Sequence, residues 1–271
     1  MKVFIKKIIP LIIVGVLCVS NFSVFAAKDK EQSKASNKTK TRKQIKYDKD
    51  GYRIGFPKLD KKEYPEPDRT DKALEEFTNW YLEESANNAE SSQNDSGTVT
   101  TLDLSPNPPT GTNTMTFSVD DHGSIFLVHD GYCAYGAYRH AGLFNGDRFV
   151  NLNSACIATA TPEEGTTYQT PNKFRSYDEC VALYVKNVTS SQIDSVVSWA
   201  DTKVEADIPY KIKNTYPNDY STMYCSKMPY GAYREKANKN IGNNVITWLP
   251  YVVLPLDLYL DNDTVVYKEA L

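Results

Sequence analysis

The sequence predicts an α+β domain, on three observations that fall within one stretch of the chain. Ser124 to His129 is built around Ile125, Phe126, Leu127 and Val128 and is bounded by Gly123 and Gly131, the pattern of a strand buried on both faces. Arg139–Phe144 and Arg148–Asn153 flank a turn at Asn145–Asp147, which reads as a hairpin. Between Ser191 and Val204 the period changes: Ile193, Val196, Val197, Ala200 and Val204 share one helical face, and Ser191 and Asp194 stand at capping-box separation. Strands and helices are mixed within one unit.

The elements follow in chain order. Lys2, Lys6 and Lys7 precede an apolar run from Ile8 to Val19, too short to span a hydrocarbon core, and Val24-Phe25-Ala26 suits a signal peptidase. Residues 1–26 are therefore expected to be a cleaved signal peptide, and the mature chain to be secreted, extracellular or cell-wall associated. Residues 27–114 are expected to form a polar arm. Its 28–69 part is rich in Lys, Asp, Ser and Pro with little aliphatic periodicity, which predicts disorder or loose attachment. Leu74, Phe77, Trp80 and Tyr81 predict one amphipathic helix near 70–85, and residues 86–113, with Pro106, Pro108 and Pro109, a loop. The globular domain is placed at 115–271. Beyond the hairpin, Val181–Val185 reads as a further strand, a short helix is expected after Cys225, and Val245–Leu258, interrupted by Pro250 and Pro255, suits an edge strand and its connections.

Charge divides the chain. Residues 28–43 carry seven Lys/Arg against two acids, whereas residues 44–271 carry 21 against 32. The basic arm is suited to contact with an anionic wall polymer or lipid, and no nucleic acid is expected as a partner of the acidic body. No segment after the first is apolar for long enough to cross a membrane as a helix.

Four cysteines follow the leader: Cys133, Cys156, Cys180 and Cys225. None has zinc-finger spacing, and the three histidines form no evident ligand set with them, so neither metal nor cofactor is expected. A disulfide between Cys156 and Cys180 stays open.

A thiol nucleophile needs a base and a group that orients the base. Cys225, in Tyr224-Cys225-Ser226, stands at the expected start of a helix, where unpaired N–H groups and the macrodipole favour a thiolate. His140, in Arg139-His140-Ala141-Gly142-Leu143-Phe144, is a polar ring in an otherwise apolar strand and needs a partner. The bland alternatives are a buried cysteine acting as a small hydrophobe and a structural histidine. Gly123-Ser124-Ile125-Phe126-Leu127-Val128, then His140-Ala141-Gly142, then Pro209-Tyr210, then Tyr224-Cys225-Ser226 resembles the permuted papain-like cysteine hydrolases, the YiiX/YycO-like branch of the NlpC-type superfamily, over roughly residues 115–260. The order is that of the resemblance: the histidine strand precedes the cysteine.

The resemblance implies a papain-like α+β fold, a small antiparallel sheet packed against helices, with Cys225 as nucleophile and His140 as base. It further implies amide-bond hydrolysis in cell-wall peptides, lipid-linked amides being the other substrate class. Three departures qualify it. Ser124 replaces the usual acid of the first motif. The expected glutamate after the histidine strand is replaced by amides in Val150-Asn151-Leu152-Asn153-Ser154, of which Asn153 is favoured as the third residue over Asn151. Pro229 is tolerable only in the first turn of the helix. Cys133, which precedes a second Tyr-Gly-Ala-Tyr-Arg segment, is a rival thiol. A non-catalytic envelope protein of the same fold, or a proenzyme covered by residues 27–110, are the competing readings.

Overall fold

The computed structural model describes residues 42, 44–65, 70, 72, 112–129, 136–212, 216–242 and 252–271. The expected signal peptide, Cys133 and, except for Thr70 and Lys72, the expected helix near 70–85 lie outside the described residues. Six strands form one sheet: β1 (Ile125–His129), β2 (His140–Phe144), β3 (Ile157–Thr161), β4 (Gly165–Gln169), β5 (Glu179–Val185) and β6 (Thr264–Ala270). Their order is β4-β3-β2-β1-β5-β6, and every neighbouring pair is antiparallel. Among the described residues four α-helices of the folded unit accompany them: α1 (Pro171–Arg175), α2 (Ser190–Glu205), α3 (Lys227–Ala237) and α4 (Pro255–Leu260). The fold is α+β.

Strand alternation sorts the core into two layers. Ile125, Leu127, Ala141 and Leu143 face α2 and α3, meeting Val196, Val197 and Ala200 of the first and Met228 and Ala232 of the second. Phe126, Val128, Phe144 and Ile157 face the other way, onto Phe174 of α1. Because both faces are covered, β1 and β2 are apolar rather than alternating, apart from the terminal histidines His129 and His140. A Cβ at Gly142 would stand 2.4 Å from Ile157 Cγ2 and 2.9 Å from Phe174 Cζ, so only glycine lets β2 lie this close to its neighbours.

Three expectations about elements are corrected. The third strand is not Arg148–Asn153: those residues form a surface loop tied by Ser154 Oγ, which accepts from the N–H groups of Val150 and Asn151 at 3.0 Å each, and β3 begins only at Ile157. Side-chain-to-backbone bonds of this kind compete with a ladder. The cap of α2 is Thr189 with Gln192, two residues ahead of the expected Ser191 with Asp194. Of the C-terminal piece expected at Val245–Leu258, the part up to Tyr251 lies outside the described residues; beyond it Pro255 opens α4 at its first turn instead of interrupting a strand, and the described edge strand is Thr264–Ala270.

A fourth correction concerns the arm. Residues 44–65 are a strap laid over the domain, and the compact unit runs from Arg42 to Leu271. Tyr47 Oη donates to Val188 O at 2.8 Å, Leu59 N to Val266 O at 2.9 Å, and Lys62 N to Tyr259 Oη at 2.7 Å. Phe56 packs on Tyr267 with ring centroids 4.7 Å apart, and Tyr64 on Tyr259 at 5.6 Å. The segment carries few aliphatic residues, but its aromatic rings bury enough area each to offset ordering the chain.

Candidate active site

The segment before α3 is clamped on both sides of Cys225. Tyr224 Oη accepts from Val253 N at 3.0 Å, and Ser226 Oγ donates to Val253 O at 2.7 Å. Met223 bridges Tyr210, with Met223 N on Pro209 O and Lys211 N on Met223 O, each at 2.9 Å. Lys227, the first residue of α3, is fully buried, an unfavourable place for a cation at a helix N-terminus. It is satisfied by donating to Asp219 O and to Thr222 O, the latter at 3.0 Å, and by the faces of Tyr220 and Tyr224. Even so, burial lowers its ammonium to a pKa of about 8. Pro229 falls in the first turn, as the helix requires.

Cys225 is 8% exposed, and the backbone N–H groups of Ala141, Ser226 and Cys225 itself lie near enough to its sulfur to favour the anion. The Ser226 hydroxyl is also close, but its single proton is committed to Val253 O. Burial outweighs these donors and pushes the thiol up to about 11. The expectation of a thiolate stabilised by the helix terminus is therefore corrected: desolvation of the anion wins, and the resting group is a neutral thiol.

His140 is 6% exposed and opens β2. Its Nε2 lies 2.9 Å from Gln169 Oε1 and 3.4 Å from Thr159 Oγ1, and its ring stands 5.5 Å from that of Phe174. With a carbonyl oxygen facing it, Nε2 carries the proton, and the lone pair is on Nδ1. Thr159 Oγ1 donates to Ala141 O at 2.7 Å, tying β3 to the residue that follows His140.

The ladder relates the thiol and the imidazole to one stretch of β2. β2 and β3 pair only at Leu143–Ala158 and Phe144–Ile157, and the pairing stops short of Ala141. There the backbone N–H of Ala141 lies near the Cys225 sulfur and its carbonyl accepts from Thr159. Alternation puts Ala141 on the α3 side and His140 on the α1 side, so the thiol stands by the residue next to His140 while the imidazole ring leaves β2 on the other face.

Asn153 and Asn151 are not at this place. Asn153 N donates to Asn151 Oδ1 at 2.8 Å within the surface loop, and Asn153 Oδ1 accepts from Asn172 of α1. With the strand expected there absent, the geometric reason for favouring Asn153 goes too. The residue on the imidazole is Gln169, at the end of β4, a strand the sequence reading passed over. Its signal was a short β-prone run, Thr166-Thr167-Tyr168, between Gly165 and Pro171.

Other titratable candidates have different roles. His122 Nδ1 accepts from Gly146 N at 3.0 Å; burial, reinforced by Arg42 and Arg53, lowers its pKa to about 3. Cys156 and Cys180 are free buried thiols rather than a disulfide, and burial pushes Cys156 up to about 12. Among the described residues no three His, Cys, Asp or Glu side chains converge as a metal site, and no helix is long and apolar enough to cross a membrane.

No family profile matches the chain, and no curated protein matches it. Among solved structures it is similar to the metalloprotein yiiX from Escherichia coli O157:H7, with TM-score 0.38 and 13% identity, over 59% of this chain and 97% of that one. At that level the likeness assigns neither chemistry nor metal to this chain.

Proposed function

We propose that this chain is an exported thiol hydrolase of amide bonds with a permuted papain-like arrangement, acting on cell-wall peptides. The observation that supports the reading is that the Cys225 thiol lies by the backbone of Ala141, the residue next to His140, whose imidazole Gln169 holds. In the proposed reaction the Cys225 proton passes to His140 Nδ1 as the sulfur attacks the substrate carbonyl carbon. His140 then gives that proton to the leaving nitrogen, the C–N bond breaks, and a thioester remains. Water, deprotonated by the same nitrogen, attacks the thioester; the carboxylic acid leaves and the thiol regains its proton. Gln169 keeps the proton on Nε2 and so leaves Nδ1 unprotonated, although a neutral amide supports the transient imidazolium less than a carboxylate would.

Because the resting thiol is neutral and buried, proton transfer has to accompany substrate entry. The same burial, together with the amide partner, favours a second reading: a non-catalytic envelope protein that binds wall peptide in this cleft. Incubating the chain from Ala27 onward with muropeptides and reading the products by mass spectrometry separates the two. Hydrolysis yields a new amine and a new carboxylate from one bond, absent with Cys225→Ala; binding without new products supports the second reading. Cleavage of a lipid-linked amide alone, still dependent on Cys225, would keep the mechanism and change the substrate.

A further inference from the structure

A second site lies on the sheet face opposite α2 and α3, away from Cys225. The strap and the 3-10 turn at Val119–Asp121 enclose a cavity of about 450 Å³, closed at its base by Tyr267. Arg53 stands in its wall, 7% exposed, with its guanidinium carbon 4.0 Å from the centroid of the Phe56 ring. Among the described residues the guanidinium makes one hydrogen bond, from Nη2 to the main-chain oxygen of Asp120 at 2.9 Å, and no carboxylate pairs with it. An arginine this buried ordinarily has an anionic partner, because leaving the charge desolvated and unpaired is costly.

The neighbouring charges narrow what could pair with Arg53. Lys268, also in the lining, is already neutralised: it donates to both oxygens of the Asp121 carboxylate at 2.7 Å each, and Tyr267 Oη donates to the same group. Lys46 lines the mouth with no ion pair among the described residues. Three cations (Lys46, Arg53, Lys268) against two acids (Asp120, Asp121) leave the lining one positive charge in excess. Beside the charged wall, Ile54 is 60% exposed and adjoins Phe56, an apolar shelf next to a cationic one.

We infer that this cavity binds a phosphate group, held by Arg53 and Lys46, with the carbon substituent of a phosphate ester lying on Ile54. A guanidinium and an ammonium at different angles suit a tetrahedral oxyanion, whose several oxygens serve both donors at once. The opposing group is Asp120, which stands in the lining and repels the ligand.

The test titrates the chain from Ala27 onward with inorganic phosphate, followed by isothermal calorimetry and by the amide resonances of residues 53–57 and 118–121. A second arm measures co-sedimentation with phosphatidylglycerol/phosphatidylcholine vesicles, with and without competing phosphate. Arg53→Gln should weaken binding roughly tenfold or more, the effect of losing a charge-assisted bond. Lys46→Gln should weaken it less, and Asp120→Asn should tighten it. The last change is informative because a merely structural Arg53 would not produce it, and because it does not depend on Arg53→Gln folding. Saturation by free phosphate alone identifies a soluble phosphate ligand; vesicle binding that free phosphate displaces identifies a lipid headgroup. Absence of binding in both arms, or equal binding by wild type and all three variants, would overturn the inference. Cys225→Ala should bind as wild type does, so the outcome is independent of the proposed hydrolysis.

Discussion

The two sides of β1 in the sheet are built to opposite specifications. On the β5–β6 side the ladder runs the length of both strands: six residue pairs from Cys180–Ala270 to Val185–Thr264, with one irregularity between Ala182 and Leu183, and the outer edge of β6 is met by Leu59 of the strap. On the β2–β3 side only two pairs form, and beyond them Ala141 O is taken by the Thr159 hydroxyl while the Ala141 N–H lies near the Cys225 thiol. Backbone groups must be satisfied in either case. Where strands satisfy them the result is a sealed edge; where side chains do so, reactive groups are brought into the sheet. The comparison shows that the candidate chemistry sits where regular pairing is withheld.

The sharpest way to break this contrast is to remove the seal. Deleting the chain through residue 65 exposes β6 together with Tyr138, Tyr184, Tyr259 and Tyr267, which lose the packing of Phe56 and Tyr64. Losing one large buried ring costs about 3–5 kcal/mol, so this truncation should abolish cooperative folding in thermal melts followed by circular dichroism. A chain beginning at residue 42 should melt within a few degrees of one beginning at Ala27. Equal melting of all three would mean that the strap is an ornament.

On the open side, Gln169→Ala should reduce turnover by roughly 10²-fold, the lower range of what a positioned base contributes, while melting is little changed. Asn153→Ala should leave turnover as it was. Gln169→Glu is expected to restore or exceed wild-type rate by placing a charge beside the imidazolium. If Asn153→Ala is the damaging change, the loop and not β4 supplies the third residue.

The two sides also titrate in opposite directions. His122, under the influence of Arg42 just ahead of the strap and of Arg53 within it, keeps a pKa of about 3 when folded against 6.5 when unfolded. The unfolded chain therefore binds more protons between these values, and stability falls as pH drops from about 6.5 toward 3. His122→Gln, which retains a side-chain hydrogen-bonding group, should flatten that acid limb in urea melts taken at stepped pH. Cys225 behaves in the reverse sense. Its folded pKa of about 11 exceeds the ordinary value of 9, so the folded chain holds the proton longer and stability falls as pH rises through this window. Cys225→Ala should make the alkaline limb shallower, and alkylation of wild type near neutral pH should be slow for a cysteine nucleophile. Rapid alkylation that His140→Ala suppresses would show instead that the imidazole draws the proton off in the resting state. The smallest effect is expected from Thr159→Val, which removes one neutral hydrogen bond to Ala141 O and should cost about 1 kcal/mol.

Much of this was legible in the sequence, and the part that was legible has a common character. β1, β2 and β5, the helix α2 and the start of α3 near Cys225 all announce themselves through local periodicity or a local terminus, because their burial follows from residues a few positions apart. Cys225 and His140 were singled out by the same means, one by a helix terminus and the other by a polar ring in an apolar run. Three features depend on partners distant in sequence, and only the tertiary structure decided them. Gln169 reaches His140 across 29 positions through β4, a strand too polar to signal its own burial. The strap is held by rings meeting Tyr184, Tyr259 and Tyr267, more than 100 positions away, so nothing within its own segment shows that it is ordered. The protonation of Cys225 was misjudged because the helix terminus that favours a thiolate is written in the local sequence, whereas the desolvation that opposes it is produced by everything packed around the sulfur.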